Sequence, residues 1–354
     1  MKNKFLIFIL LCLGLFITSC DKEEINKQPS FTFGRSGLEG RIINELSMTS
    51  SGIIAATDKG LYVKTETQNS LEPDNWESAG LAEKNIRTFV EIDEDLWLAA
   101  ENAGSSFFLY QSENQGETWA ELENNFGGDY EQHINDLEYV AETQMLYAVG
   151  YGVLAESADM GQTWTPIIGD WDWLASGLDF VEKNPESNEL WIGGQNAIEG
   201  FVLYKYDLDS EEETLYLDLV AAPSTAKSIL FDPDDPDHVI VGAEGGIIST
   251  SDGGNTWNLI KDDHESSKFY FGLARDEFKP EILYATGWLK DFDNPQKLIL
   301  LYSPDNGSTW QEITHQRNDL FGGVYDMLST VENGTQVLYL GLYKGGVFRV
   351  NIGH

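Results

Sequence analysis

The chain has 354 residues, room for one large all-β domain or two average ones. Acids outnumber bases 59 to 22, for a formal charge of −37. That excess argues against DNA or RNA as a partner, because phosphate binding needs a basic footprint. Aromatic residues at 12% and 34 glycines favour strands and tight turns over helices.

The first predicted element is a targeting segment. Lys2 and Lys4 precede an apolar run from Phe5 to Ile17. The run is shorter than the roughly 20 residues of a membrane span and has the proportions of a signal-peptide core. It ends in Ile17-Thr18-Ser19-Cys20, which resembles the lipobox of bacterial lipoproteins. The resemblance implies removal of residues 1–19 and a lipid anchor on Cys20, with an uncleaved anchor or an ordinary secretory signal as the competing readings. Cys12 would leave with the leader, so the mature chain would form no disulfide. Residues 20–29 read as a lipidated, flexible tether. Lys22-Glu23-Glu24 resembles the surface-export signal of Bacteroidetes lipoproteins, and a plain acidic tether is the alternative. The implied location is the outer membrane, exposed at the cell surface.

A single domain is expected over 30–354. Its first strand is Ser30–Arg35, "SFTFGR". Seven units follow, at about 41–79, 85–122, 133–167, 177–217, 228–260, 269–313 and 322–352, a period suited to four-stranded propeller blades. Each reads as an inner strand, an apolar strand, a turn and an aromatic strand. Four units then carry a gapless repeat of the form Ser/Thr-x-Asp/Asn-x-Gly-x-Thr-Trp. They are Ser112 to Trp119, Ser157 to Trp164, Thr250 to Trp257 and Ser303 to Trp310. Unit four has the acidic "DLDSEEE" in that place, and unit one has a degenerate "PDNW" ending at Trp76. Unit seven stops after three strands, and the strand at 30–35 is expected to complete it.

The repeat resembles the Asp-box, or BNR repeat, of β-propellers. It implies an all-β, seven-bladed β-propeller of four-stranded antiparallel blades with Asp-box hairpins, the ring closed by the N-terminal strand. The weakness of unit four leaves six or eight blades open. In each box the residues have structural work. Gly116, Gly161, Gly254 and Gly307 allow a left-handed turn. Asn114, Asp159, Asp252 and Asp305 cap backbone N–H groups. Trp119, Trp164, Trp257 and Trp310 cover the hairpin.

Ligands are therefore expected on the other face, at the loops that lead into the inner strands. Those loops are "FGGDYEQH" (126–133), "GDWDWLAS" (169–176), "HESSKFYFG" (264–272) and "HQRNDLFGG" (315–323). Tyr130, Trp171, Trp173, Tyr270 and Phe321 would offer ring faces to a sugar or a peptide, or would pack between blades. Arg275 and Arg317 would receive a carboxylate or neutralise Asp136, Asp179, Asp276 and Asp326. No catalytic residue is assigned. Arg41-Ile42-Ile43 lacks the proline of the sialidase motif. The xyloglucan hydrolases that carry these boxes use a cleft between two propellers. The five histidines have no ligand spacing, and "DPDDPD" (232–237) reads as a strand connection rather than a calcium loop. No metal and no cofactor are expected. The boxes also resemble those of sortilin-type receptors and photosystem assembly factors, which are not enzymes. The favoured reading is a surface lipoprotein that binds an extracellular glycan or protein. A glycoside hydrolase and an assembly scaffold in an outer-membrane complex are the alternatives.

Overall fold

The computed structural model describes residues 28–65, 75–172, 177–217, 219, 223–266 and 268–354. The leader, Cys20, most of the tether, Trp173 and the third turn of unit one lie outside the described residues. The 28 strands form seven sheets of four antiparallel strands, and there is no helix among the described residues. The inner strands are Ile43–Thr49, Ile86–Glu91, Asp136–Val140, Gly177–Lys183, Ala226–Asp232, Phe269–Arg275 and Val324–Glu332. Unit four is a complete blade despite lacking the repeat. Asp207 replaces the box there, its Oδ1 accepting the N–H groups of Asp209 (3.0 Å) and Ser210 (2.8 Å).

The seventh blade closes the ring. Its fourth strand is Ser30–Gly37, paired antiparallel with Gly346–Gly353, Ser30 opposite Gly353 and Arg35 opposite Phe348. Phe31 and Phe33 pack against the core between blades 6 and 7. First and last strands thus share one sheet, and the ring has no gap between blades.

The core is a set of seven wedges, one between each pair of neighbouring blades. This explains why second and third strands read as unbroken apolar runs: both sheet faces are covered. Leu298–Ser303, for example, is buried at every position. The repeat tryptophans seal these wedges toward the preceding blade. Trp119 Nε1 donates to Ala79 O (2.8 Å) and Trp310 Nε1 to Ile260 O (3.1 Å).

All four repeats form the turn between third and fourth strands. In the last, Ser303 Oγ accepts the Gly307 N–H (2.8 Å), and Asp305 accepts both the N–H and the hydroxyl of Thr309 (2.7 Å each). Asn306 and Gly307 have φ of 53° and 83°, the left-handed pair that this turn requires. A Cβ at Gly307 would also lie 2.6 Å from Ile260 Cδ1. The repeat aspartates are therefore committed to their own turns. These turns share one face of the disc, the box face. The connections between blades share the opposite loop face.

Candidate functional site

The inner strands surround a central channel with a cavity of about 480 Å³. Six of the seven carry a β-bulge at the same height, at Asn44, Arg87, Asp179, Lys227, Phe271 and Tyr325. In blade 3 Asn135 holds the corresponding place, its N–H bonding Val149 O at 2.8 Å. A bulge re-aims its residue, and all seven line the channel. The tier is asymmetric. Blades 6 and 7 contribute rings, while the others contribute amides and charges.

Seven carboxyl side chains line the channel, Glu45, Glu91, Asp136, Glu138, Asp179, Glu182 and Asp326, against Arg87 and Lys227. Most of them tie one blade to the next. Asp326 Oδ2 accepts the Leu46 N–H (2.6 Å), Glu45 Oε2 that of Phe89 (3.1 Å) and Asp136 Oδ2 that of Val181 (2.9 Å). Glu138 Oε1 accepts from Lys183 N (3.2 Å), and Asp179 pairs with Lys227. The first strand of each blade has an unpaired edge toward the channel, and these carboxylates satisfy its N–H groups.

The crowding of acids has a cost. Protein surrounds them even where the channel admits water. Burial pushes the Glu138 and Asp326 carboxyls up to about 7. Burial and the neighbouring Glu45 raise Asp136 well above the carboxylate range. Glu182 is raised well above it by burial and by the charges of Glu138, Asp136, Glu45 and Asp326. Burial also raises Glu45, against hydrogen bonds from Ser47, Thr88 and Phe89 N and the charge of Arg87.

On the opposite wall Phe271 and Tyr325 face the channel, and Tyr343 and the fully buried Trp288 stack behind them. Phe271 stacks on Tyr325 (centroids 5.3 Å), Tyr325 on Tyr343 (5.9 Å), and Tyr343 on Trp288 (5.5 Å). Phe292 meets Trp288 and Tyr343 edge-on, at 5.2 Å each, and is 40% exposed. It lies in the loop 289–297 on the loop face, where Lys344 Nζ holds its carbonyl (2.9 Å). Lys344 also lies over the Tyr343 ring (4.9 Å). The channel thus has rings on the side of blades 6 and 7 and most of its carboxyl groups on the side of blades 1 to 4.

Of the seven residues expected to form the site, Trp173 lies outside the described residues, and the other six do not converge. Tyr130 is 51% exposed at the mouth of blade 3. Trp171 packs on Phe126 (4.9 Å) beneath it. Arg317 is exposed and pairs with Asp319 (3.3 Å). Phe321 is half-buried, with Lys344 over its ring (5.7 Å). Two placements differ from the expectation. Tyr270 is fully buried, its hydroxyl donating to Asp263. It stands one residue before the bulge, and Phe271 takes the lumen in its place. Arg275 sits at the box-face end of the same strand, 8% exposed, bound to Asp232 (3.0 Å), Asn306 Oδ1 (2.9 Å) and Pro280 O. Asp232 also accepts from His238 (2.9 Å), so Arg275 neutralises a half-buried acid. The residues that do converge, Phe271, Trp288, Tyr325 and Tyr343, come from strands and strand ends. The only hint of them in the sequence was a bulky residue near the start of an inner strand.

With this geometry in view, comparison with known proteins is informative at the level of fold. No protein-family model matches the chain, and no curated protein matches it either. Solved β-propellers do. The GH74 xyloglucanase from Xanthomonas campestris superposes with a TM-score of 0.65 at 14% identity, over 90% of this chain and 53% of that one. This chain therefore spans about half of the xyloglucanase. YCF48 from Cyanidioschyzon merolae matches over 91% of this chain and 98% of its own, with a TM-score of 0.61 and 10% identity. The extracellular domain of BT4673 from B. thetaiotaomicron gives 0.61 at 15% identity, over 91% of this chain and 40% of that one. At such identities the likeness carries the fold alone.

Proposed function

We propose that this protein is a lipoprotein, anchored through Cys20 at the outer membrane and exposed on the cell surface, whose Asp-box propeller binds an extracellular glycan at the loop-face mouth of its channel. The observation that carries this reading is the aromatic cluster of Phe271, Tyr325 and Tyr343 over the buried Trp288, with the exposed Phe292 at its edge, in a mouth that also holds the amides of Asn44 and Asn135 and the charges of Arg87, Asp179 and Lys227. Sugar rings combine an apolar face with a rim of hydroxyls, and such a mouth suits both. The carboxylates of Glu45, Asp136, Glu138 and Asp326 are engaged with backbone N–H groups, which favours binding over catalysis. The comparison proteins include both a xyloglucanase and a YCF48 bound to a D1 peptide.

One observation favours a second reading, glycoside hydrolysis. Glu138 and Asp326, raised to about 7, would hold protons near neutral pH as a general acid must. The test is a melting screen of wild type and Phe292→Ala against polysaccharides, sialosides and peptides. A saturating ligand at about 100 times its Kd raises stability by roughly 2.7 kcal/mol. A glycan shift lost in Phe292→Ala supports the binding reading. A shift with peptides alone moves the assignment to a protein partner. Turnover of a glycan that disappears in Glu138→Gln establishes the hydrolase instead.

A further inference from the structure

We infer that the box face is the membrane-proximal face of the anchored protein, so that the channel mouth opens away from the bilayer. The inference rests on the anchoring through Cys20 proposed above. Its basis is where the chain enters the disc. Ser30 pairs with Gly353, its neighbour Ile352 with Gln336, and Gln336 with Val331 near the end of an inner strand. Inner strands run from the loop face to the box face, so Ser30 lies at the box face. A second contact agrees. Gln28 Nε2 donates to Gln311 Oε1, and Gln311 directly follows Trp310, the last residue of the fourth repeat. The chain therefore emerges beside a box hairpin of blade 6, at the opposite end of the blades from the mouth.

The tether is short compared with the disc. From Cys20 to Gln28 a fully extended chain reaches about 29 Å. A domain of this size has a radius of gyration of about 20 Å. Turning the mouth toward the lipid would use about 20 Å or more of that reach on the height of a blade alone.

Cys12 and Cys20 are the two cysteines of the chain, so in the processed, acylated protein an introduced cysteine is a unique labelling site. Ser308→Cys on the box face and Asp293→Cys on the loop face both belong to blade 6 and are exposed. Position 308 is a variable position of the repeat, matching Glu117, Gln162 and Asn255. Each full-length variant would be expressed with its own leader, labelled with a small fluorophore and reconstituted into phosphatidylethanolamine–phosphatidylglycerol vesicles carrying a headgroup nitroxide lipid. The expected result is severalfold stronger quenching at position 308 than at 293. Equal quenching, or the reverse, on a vesicle-bound protein overturns the orientation and leaves the anchoring intact. A protein that fails to float with the vesicles, or floats as well after Cys20→Ser, overturns the anchoring reading and the orientation with it.

Discussion

Replacing Asp326 by asparagine should stabilise the protein at pH 8 and leave it nearly unchanged at pH 4. The substitution keeps an oxygen for the Leu46 N–H, 2.6 Å from the carboxylate, and removes a charge from the crowded channel. Burial, with the charge of Glu45, raises the Asp326 carboxyl to about 7 from an ordinary value of 3.8. A group raised on folding contributes stability that is full below its unfolded value and is lost as pH rises through its folded value. The window here runs from about pH 4 to about pH 7. At 1.36 kcal/mol per unit the ceiling is about 4 kcal/mol. Water in the channel reduces it, and about 1–2 kcal/mol is the expected gain at pH 8. The assay is urea unfolding of wild type and variant across pH 4 to 8, compared as a difference. Subtraction matters because the net charge of −37 gives every variant some acid-side stabilisation. A flat difference, or a variant less stable at pH 8, would refute the reasoning. It would mean that the ionised carboxylate is worth more as a cap than it costs as a charge.

Asp305→Ala should lower stability by about 1–2 kcal/mol, since it strips three hydrogen bonds from the turn without touching the channel. Thermal melts should show the loss while any ligand-induced shift persists. Gly307→Ala should cost at least as much, from its φ of 83° and the contact with Ile260, and the same melts measure it. Deleting residues 28–37 should expose the edge of Gly346–Gly353 and the surface under Phe31 and Phe33. Size-exclusion chromatography should then show aggregation.

Much of the architecture is legible in the sequence because it is local. The repeat specifies a turn within eight residues: a hydroxyl for one N–H, a carboxylate for another, a glycine for the left-handed step. Its spacing gives the blade period, and the missing strand of unit seven requires the spare strand at Ser30. Blade 4, without a box, is the weak case: the apolar runs "LWIGG" and "FVLYKY" leave the blade number open, and the pairing of its four strands decides it.

The channel is different. Whether Tyr270 or Phe271 faces the lumen depends on a bulge that shifts register by one residue, and the partner strand sets that bulge. Glu45 and Asp326 lie far apart in sequence, and ring closure alone brings the charge of Glu45 close enough to raise the proton affinity of Asp326. Arg275 looked available because its strand was placed correctly but its end was not. Local chemistry determined the turns and most of the strands. Only the closed ring decided which side chains share the central space, because that proximity is created by the last strand pairing with the first.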